Sequence, residues 1–140
     1  MQRPSHKELY NKIREARKAV ASESVLLIEQ DAIAQDAIDL EYDIGDDLFD
    51  VLSELLDETS PKHYAGTRPP QRSYEREIEG LELFAFVVES SRFKCRIYYK
   101  FTLAEGAFWL LSLHQDRPLK EEKWKIWTAR KGTARWRLKN

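Results

Sequence analysis

The sequence predicts an α+β fold in which N-terminal helices pack on one face of an antiparallel sheet that the C-terminal half forms. Two patterns support this division. Apolar residues recur at helical spacing up to residue 58, and from residue 81 they alternate with polar residues as they do in strands. With 140 residues, of which 42% are hydrophobic and 34% charged, the chain can form one domain with a core and a charged surface.

A capping box marks the start of the first predicted helix. Ser5 and Glu8 have the S-x-x-E spacing in which each side chain binds the backbone amide of the other residue. Apolar residues then recur on one helical face, which predicts an amphipathic helix packed on a core. They are Leu9, Ile13, Ala16 and Val20.

Three shorter elements complete the N-terminal half. Residues 24–28 suit a short strand, and residues 30–40 suit a short helix with Ala, Ile and Leu on one side. Residues 46–58 predict a third helix, which Asp46 or Asp47 can cap, and its acidic residues suit a solvated outer face. Its buried stripe consists of Leu48, Val51, Leu52 and Leu55.

Residues 58–80 lack periodicity and contain three Pro and two Gly, so no regular element is predicted there. A connection of this length is uncommon in a compact domain and is usually functional or mobile. Its cations are interleaved with aromatic residues, a composition that suits single-stranded nucleic acid and equally suits a solvated loop. The residues concerned are Lys62, His63, Tyr64, Arg68, Arg72, Tyr74 and Arg76.

Three consecutive strands are predicted after Gly80, and they form an antiparallel meander. The first is LELFAFVVE, and the other two flank a Gly-containing turn within residues 95–118. A three-residue turn at 105–107, with Gly in the left-handed conformation, places Tyr98 opposite His114. The core layer predicted from this register is Ile97, Tyr99, Phe101, Leu103, Trp109, Leu111 and Leu113.

A two-residue turn is the alternative, and it would place His114 in the core. A buried imidazole needs a hydrogen-bond partner that this pattern does not supply. The three-residue turn is therefore predicted. It also places Lys100 opposite Ser112, and it leaves Phe108 and Leu110 on the polar face.

Four polar side chains share the face opposite this core layer, namely Arg96, Tyr98, Lys100 and His114. Cleavage of RNA without a metal needs such groups. An imidazole transfers protons near neutral pH, cations hold the phosphate, and a phenol orients the scissile group or stacks on a base. The same set also suits a solvated sheet face.

No metal site, cofactor or disulfide is predicted. His6, His63 and His114 are widely separated, and Cys95 is the single Cys, which fits a reducing cytosol. The N-terminus is polar, and the apolar runs are too short to cross a bilayer. The sequence therefore predicts a cytoplasmic protein without a membrane partner.

Charge is unevenly distributed, although the net charge is −1. Residues 1–60 carry 6 Lys/Arg and 15 Asp/Glu, whereas residues 61–140 carry 17 and 9. The basic half suits an anionic ligand, and the alternative is that the two halves attract each other in the folded chain.

The chain divides into a domain of residues 1–116 and a basic, Trp-rich extension of residues 117–140. The extension has nine Lys/Arg, two Glu and three Trp. Three origins fit it: a tail that binds RNA, a homo-oligomer contact through residues 119–130, or a segment foreign to the native protein.

The succession of motifs over roughly residues 8–116 resembles the MqsR family of type II toxins. The matched stretches are DAIAQDAIDLEYDIGDDLFDVLSEL, a Lys shortly after that helix, IYYKFTL and LLSLHQD. The resemblance implies a RelE-like fold and a cytoplasmic endoribonuclease that cuts mRNA. It also implies a cognate antitoxin as partner.

The resemblance assigns roles to individual positions. Tyr98 matches the functional Tyr of the family's VYLK strand, Lys62 lies nearest its helix-end catalytic Lys, and His114 stands where its final SFK motif has a functional Lys. The family's Gln before the Tyr strand has no clear counterpart near Glu82. The predicted catalytic residues are therefore His114, Tyr98 and Lys62.

The predicted function is a toxin that cleaves mRNA. The alternative is a non-catalytic RNA- or protein-binding module on the same fold. The residues predicted to contact RNA are Arg96, Lys100, Arg68, Arg72 and Arg76.

Overall fold

The computed structural model describes residues 2–117, which form three α-helices and one four-stranded mixed sheet. The helices are α1 (His6–Ala21), α2 (Gln30–Leu40) and α3 (Ile44–Asp57), and the strands are β1 (Val25–Leu27), β2 (Phe84–Ser90), β3 (Cys95–Ala104) and β4 (Ala107–Gln115). This architecture confirms the predicted α+β class. The predicted extension lies outside the described residues from residue 118 onward.

The strand order of the sheet is β1-β4-β3-β2. Strands β2, β3 and β4 form the predicted antiparallel meander. The predicted short strand is also present as β1, but it pairs in parallel with β4, with Val25 opposite Phe108. The sheet is therefore mixed, and the prediction of a purely antiparallel sheet is wrong in this respect.

The three helices and one face of the sheet share a single buried core, as predicted. Alternate residues of each long strand point into it, because successive side chains of a strand point to opposite faces. Each large apolar side chain that is removed from water contributes about 1.5–3 kcal/mol to stability. The strand residues of this core are Phe84, Phe86, Val88, Ile97, Tyr99, Phe101, Phe108, Leu110 and Leu113.

The helix starts follow from short polar caps. Ser5 caps α1 as predicted, since its Oγ accepts a hydrogen bond from the Glu8 amide at 3.0 Å. Helix α3 is capped by Asp43, whose Oδ1 accepts from the Asp46 amide at 3.0 Å. The prediction of Asp46 or Asp47 as the cap is wrong, and both lie in the first turn, where carboxylates favour the helix dipole. In residues 2–117 no helix combines the length and apolar character needed to cross a bilayer.

The turn between β3 and β4 has two residues, so the predicted three-residue turn is wrong. Ala104 pairs with Ala107, and only Glu105 and Gly106 lie between them. Their φ angles are 55° and 76°. Positive φ at both positions is typical of the type I′ turns that match the twist of a tight hairpin.

A β-bulge in β4 compensates for the shorter turn. Phe101 pairs with Leu110, and the next residue back along β3, Lys100, pairs with Ser112. Leu111 is therefore the extra residue on β4. It restores the parity that the two-residue turn would have lost, so that Tyr98 lies opposite His114 and Lys100 lies opposite Ser112, as predicted.

The bulge changes which apolar residues of β4 enter the core. Phe108 and Leu110 are buried in it, contrary to the prediction that they lie on the polar face. Trp109 and Leu111, predicted for the core, instead pack in a second cluster with Ile28. The two-residue turn reverses which β4 residues face the core between the turn and Leu111. The bulge restores the predicted facing only after Leu111.

The segment predicted to be structureless folds onto the sheet. It contains two short 3₁₀-helices, Pro61–His63 and Arg76–Ile78. Tyr64 forms an isolated bridge with Phe86 at the edge of β2. The second part of the segment covers one end of the sheet face opposite the helices. Ile78 of this segment packs there with Trp109 and Leu111, together with Leu81 and Leu83, which follow the segment.

A buried chain of hydrogen bonds joins α3 to the centre of the sheet. The Thr59 hydroxyl donates to the Leu55 carbonyl at 2.7 Å, so it accepts from the Tyr99 hydroxyl at 2.6 Å. Tyr99 is fully buried, and burial raises the pKa of its phenol well above the ordinary value. The end of α3, and the turn that follows it, are thereby fixed to β3.

Replacement of Thr59 by Val leaves the buried Tyr99 hydroxyl without an acceptor. We expect the free energy of unfolding to fall by about 1–3 kcal/mol, the cost of an unsatisfied buried donor. Replacement of Tyr99 by Phe should cost less, because Thr59 keeps its bond to Leu55. Equilibrium denaturant unfolding of both variants and of the double variant measures the coupling. A double variant whose loss equals the sum of the single losses would contradict the bond.

Deletion of Leu111 should remove the bulge without changing the pairs on either side of it. We expect Tyr98 and His114 to remain opposite each other, at lower stability because the packing of Leu111 is lost. Contacts between the two rings in NMR spectra would report the register.

Deletion of Leu113 is the matched control. It would move His114 into the core position opposite Tyr99, so we expect those ring contacts to disappear. Loss of the contacts in the Leu111 deletion as well would refute the assignment of Leu111 as the bulged residue.

Candidate functional site

The candidate site is the open part of the sheet face opposite the helices. Arg96, Tyr98 and Lys100 point to this face because Ile97 and Tyr99 are buried in the core. The cover formed by the second cluster lies at the other end of the face. The cross-strand neighbours of the three open residues are Glu89, Val87 and Ala85 on β2 and, for Tyr98 and Lys100, His114 and Ser112 on β4.

Tyr98 and His114 stack on each other across β3 and β4. Their ring centroids lie 5.1 Å apart, and the ring planes differ by 18°. Both side chains are partly exposed. The predicted convergence of phenol and imidazole is therefore found, with the rings in contact and accessible from solvent.

The backbone fixes the tautomer of His114. Its Nδ1 lies 2.8 Å from the Gln115 carbonyl oxygen, which can only accept, so Nδ1 carries a hydrogen. In the neutral ring the lone pair is then on Nε2. This nitrogen can take up a proton and release it without loss of the bond to Gln115, as a general base and acid requires.

Tyr98 remains a protonated phenol near neutral pH. Burial raises the pKa of its hydroxyl, and the negative charge of Asp116 raises it further. The group is therefore a hydrogen-bond donor rather than a base.

The two cations beside this ring pair differ in their partners. Arg96 forms an ion pair with Asp116, with Nη2 and Oδ2 3.1 Å apart. Lys100 lies between Ala85 and Ser112 and pairs with no carboxylate among residues 2–117. Lys100 is therefore the cation on this face that is ready for an anion, whereas Arg96 must first exchange its partner.

A cavity of about 570 Å³ opens at the edge of β2 next to the ring pair. Lys62 and Arg96 both line it, so the structure brings the predicted catalytic Lys and Arg96 to the same cavity. Val87 connects the cavity to the rings, because it also lies directly opposite Tyr98. The complete lining is Glu58, Lys62, His63, Tyr64, Ala65, Val87, Val88, Glu89 and Arg96.

The three loop arginines do not line this cavity. The Arg68 guanidinium donates to the Pro4 carbonyl at 3.0 Å and lies 5.0 Å from the centre of the Tyr64 ring. Arg72 donates to the Gly80 carbonyl at 2.7 Å, and Arg76 is exposed on its 3₁₀-helix. Arg68 and Arg72 therefore stabilise the loop, and RNA contact by these three residues stays a prediction.

Sequence reasoning named His63 only as part of the loop composition that suits nucleic acid, and it gave no role to Glu58. One oxygen of Glu58 accepts from the Ser91 amide at 3.1 Å, and its other oxygen is buried without a partner. A Ser followed by Pro marks a turn start, and a His at the third position can close it. That short pattern, from Ser60 to His63, was the available signal.

In the part of the chain that the structure describes, no three His, Cys, Asp or Glu side chains are grouped so that they could hold a metal ion.

No protein-family model matches this sequence, and no curated protein matches it. The site must accordingly be interpreted from its own geometry.

Replacement of Asp116 by Asn should lower the pKa of Tyr98, because it removes a negative charge that disfavours phenolate. We expect the pKa to stay above the usual value of about 10, since burial is the larger cause. NMR titration of the ring measures it. Asn at the exposed Asp39 of α2 is the control and should leave this titration unchanged. An unchanged Tyr98 titration in the Asp116 variant would contradict the proximity.

Proposed function

We propose that this chain is an endoribonuclease that cleaves mRNA by transesterification, as the toxin of a type II toxin-antitoxin pair. The observation that carries the proposal is the stacked pair of Tyr98 and His114 on an open sheet face. Lys100 lies beside the pair, and the cavity lined by Lys62 adjoins it. The set combines a proton-transfer group (His114), a neutral hydrogen-bond donor (Tyr98) and two cations (Lys100 and Lys62).

The proposed reaction starts at the ribose 2′-hydroxyl. His114 Nε2 accepts its proton, and the 2′-oxygen attacks the adjacent phosphorus. An O2′–P bond forms, and the P–O5′ bond breaks. The protonated imidazole returns the proton to the leaving 5′-oxygen, either directly or through a water molecule. The products are a 2′,3′-cyclic phosphate and a 5′-hydroxyl, with no net change in protons.

The other groups act on the charge that develops on the phosphoryl oxygens. Lys100 is placed to hold one of these oxygens, and Lys62 reaches the same strand of RNA from the cavity. The Tyr98 phenol is protonated, so it donates a hydrogen bond to the scissile group, and its ring holds His114 in position by stacking.

A RelE-like arrangement is the fold that we propose for this activity. What supports it is the combination of an antiparallel meander with helices on one face only, which leaves the other face accessible to a polymer. The resemblance of the motifs to MqsR toxins adds the cytoplasmic location and the antitoxin partner to the proposal.

The test is cleavage of a labelled RNA by purified protein in the presence of EDTA. His114→Ala should lower the cleavage rate by about 10²–10⁴-fold, the usual contribution of a general acid–base group. Tyr98→Phe should lower it by about 10-fold to 100-fold, the loss of a hydrogen bond to a charged group. Mass spectrometry should find the cyclic phosphate on the 5′ product.

His6→Ala and Tyr10→Phe are matched controls, because both residues are exposed on α1. They should cleave like the wild type. Binding of RNA without cleavage would favour the alternative of a non-catalytic module on the same surface. Full cleavage by both His114→Ala and Tyr98→Phe would refute the assigned site.

A further inference from the structure

The cavity beside the ring pair contains a second imidazole whose tautomer the backbone also fixes. The Ser60 amide donates to Nδ1 of His63 at 3.0 Å, and the Ser60 hydroxyl lies 3.3 Å from the same nitrogen. A backbone N–H can only donate, so Nδ1 carries no hydrogen. The single hydrogen of the neutral ring is therefore on Nε2.

This geometry gives His63 the opposite properties to His114. A second proton on Nδ1 of His63 would break its bond to the Ser60 amide, and two donors would then face each other. His114 keeps its backbone bond in both charge states because its Nδ1 is already the donor. In the neutral rings, His63 therefore presents a donor at Nε2, whereas His114 presents an acceptor there.

The surroundings of His63 define what its Nε2–H can bind. Lys62 and Arg96 line the same cavity, and so do Tyr64 and two carboxylates. The carboxylates are Glu58, which is held by the Ser91 amide, and Glu89, which is the cross-strand neighbour of Arg96. Lys62 pairs with no carboxylate among residues 2–117, so it and the Nε2–H of His63 can bind an anionic oxygen, and Arg96 can join them once it releases Asp116. No protein acceptor in residues 2–117 occupies Nε2 of His63.

We propose that this cavity is a second phosphodiester subsite, in which the Nε2–H of His63 donates to a non-bridging phosphate oxygen of the RNA. The inference rests on the proposed function. The subsite holds the phosphodiester that neighbours the scissile one. Val87 lines the cavity and is also the cross-strand neighbour of Tyr98, so the subsite adjoins the ring pair.

Two substitutions of His63 distinguish loss of the Nε2 donor from loss of the Nδ1 bond that stabilises the turn. His63→Asn places a carbonyl oxygen near the position of Nδ1, so it keeps the bond to Ser60 but has no group at Nε2. His63→Gln reaches the position of Nε2 with an amide N–H but does not fill that of Nδ1. His6→Asn on α1 is the control for the substitution itself.

The probe is a short 2′-O-methyl RNA oligonucleotide, which has normal phosphodiesters but cannot be cleaved. We expect His63→Asn to weaken its binding by about 10-fold to 100-fold, with unfolding unchanged, because one hydrogen bond to a charged oxygen is lost. His63→Gln should bind more tightly than His63→Asn even though its turn is less stable.

The outcomes distinguish this subsite from the nuclease itself. Wild-type cleavage of RNA together with wild-type binding by His63→Asn would refute the subsite and leave the nuclease. Binding that depends on His63, in a wild type that never cleaves, would refute the nuclease and keep the subsite. Equal losses in the Asn and Gln variants would show a structural role only and would refute the donor. A wild type that neither binds nor cleaves would refute both.

Discussion

The buried hydrogen bond between Thr59 and Tyr99 fixes the two parts of the proposed site relative to each other. Tyr99 is rigid in the core, and its chain neighbour Tyr98 must therefore point to the open face. Thr59 directly precedes the turn that carries Lys62 and His63. A bond on the helical side of the sheet thus determines where the proposed catalytic and binding groups lie.

The helical layer contains a strongly acidic stretch. Residues 19–61 contain 13 Asp/Glu and no Lys/Arg, and they include α2 and α3. On the open face, Lys100 pairs with no carboxylate among residues 2–117. Ion pairs join the two halves of the chain, such as those of Glu54 with Arg92 and of Asp36 with Arg117. Attraction between the halves is therefore found, and the anionic ligand stays a prediction, which a net charge near zero does not contradict.

Periodicity was sufficient to predict the helices, the meander and the facing of Tyr98 and His114. It failed where two local irregularities cancel, since a two-residue turn and a bulge at Leu111 leave the same final register as a plain three-residue turn. An argument from the alternation of side chains detects only the combined effect of the turn and the bulge on the strand register. His63 was named only through the composition of its loop, because the proposed role depends on a backbone bond within a turn that has no periodic pattern.

The position of β4 has a consequence for synthesis of the protein. This last strand lies between β3 and β1, so the centre of the sheet is the final part of the domain to leave the ribosome. A nascent chain that stops short of it has neither a closed core nor the imidazole at 114. An RNA-degrading activity located there would emerge only after β4 has been translated and has joined the sheet.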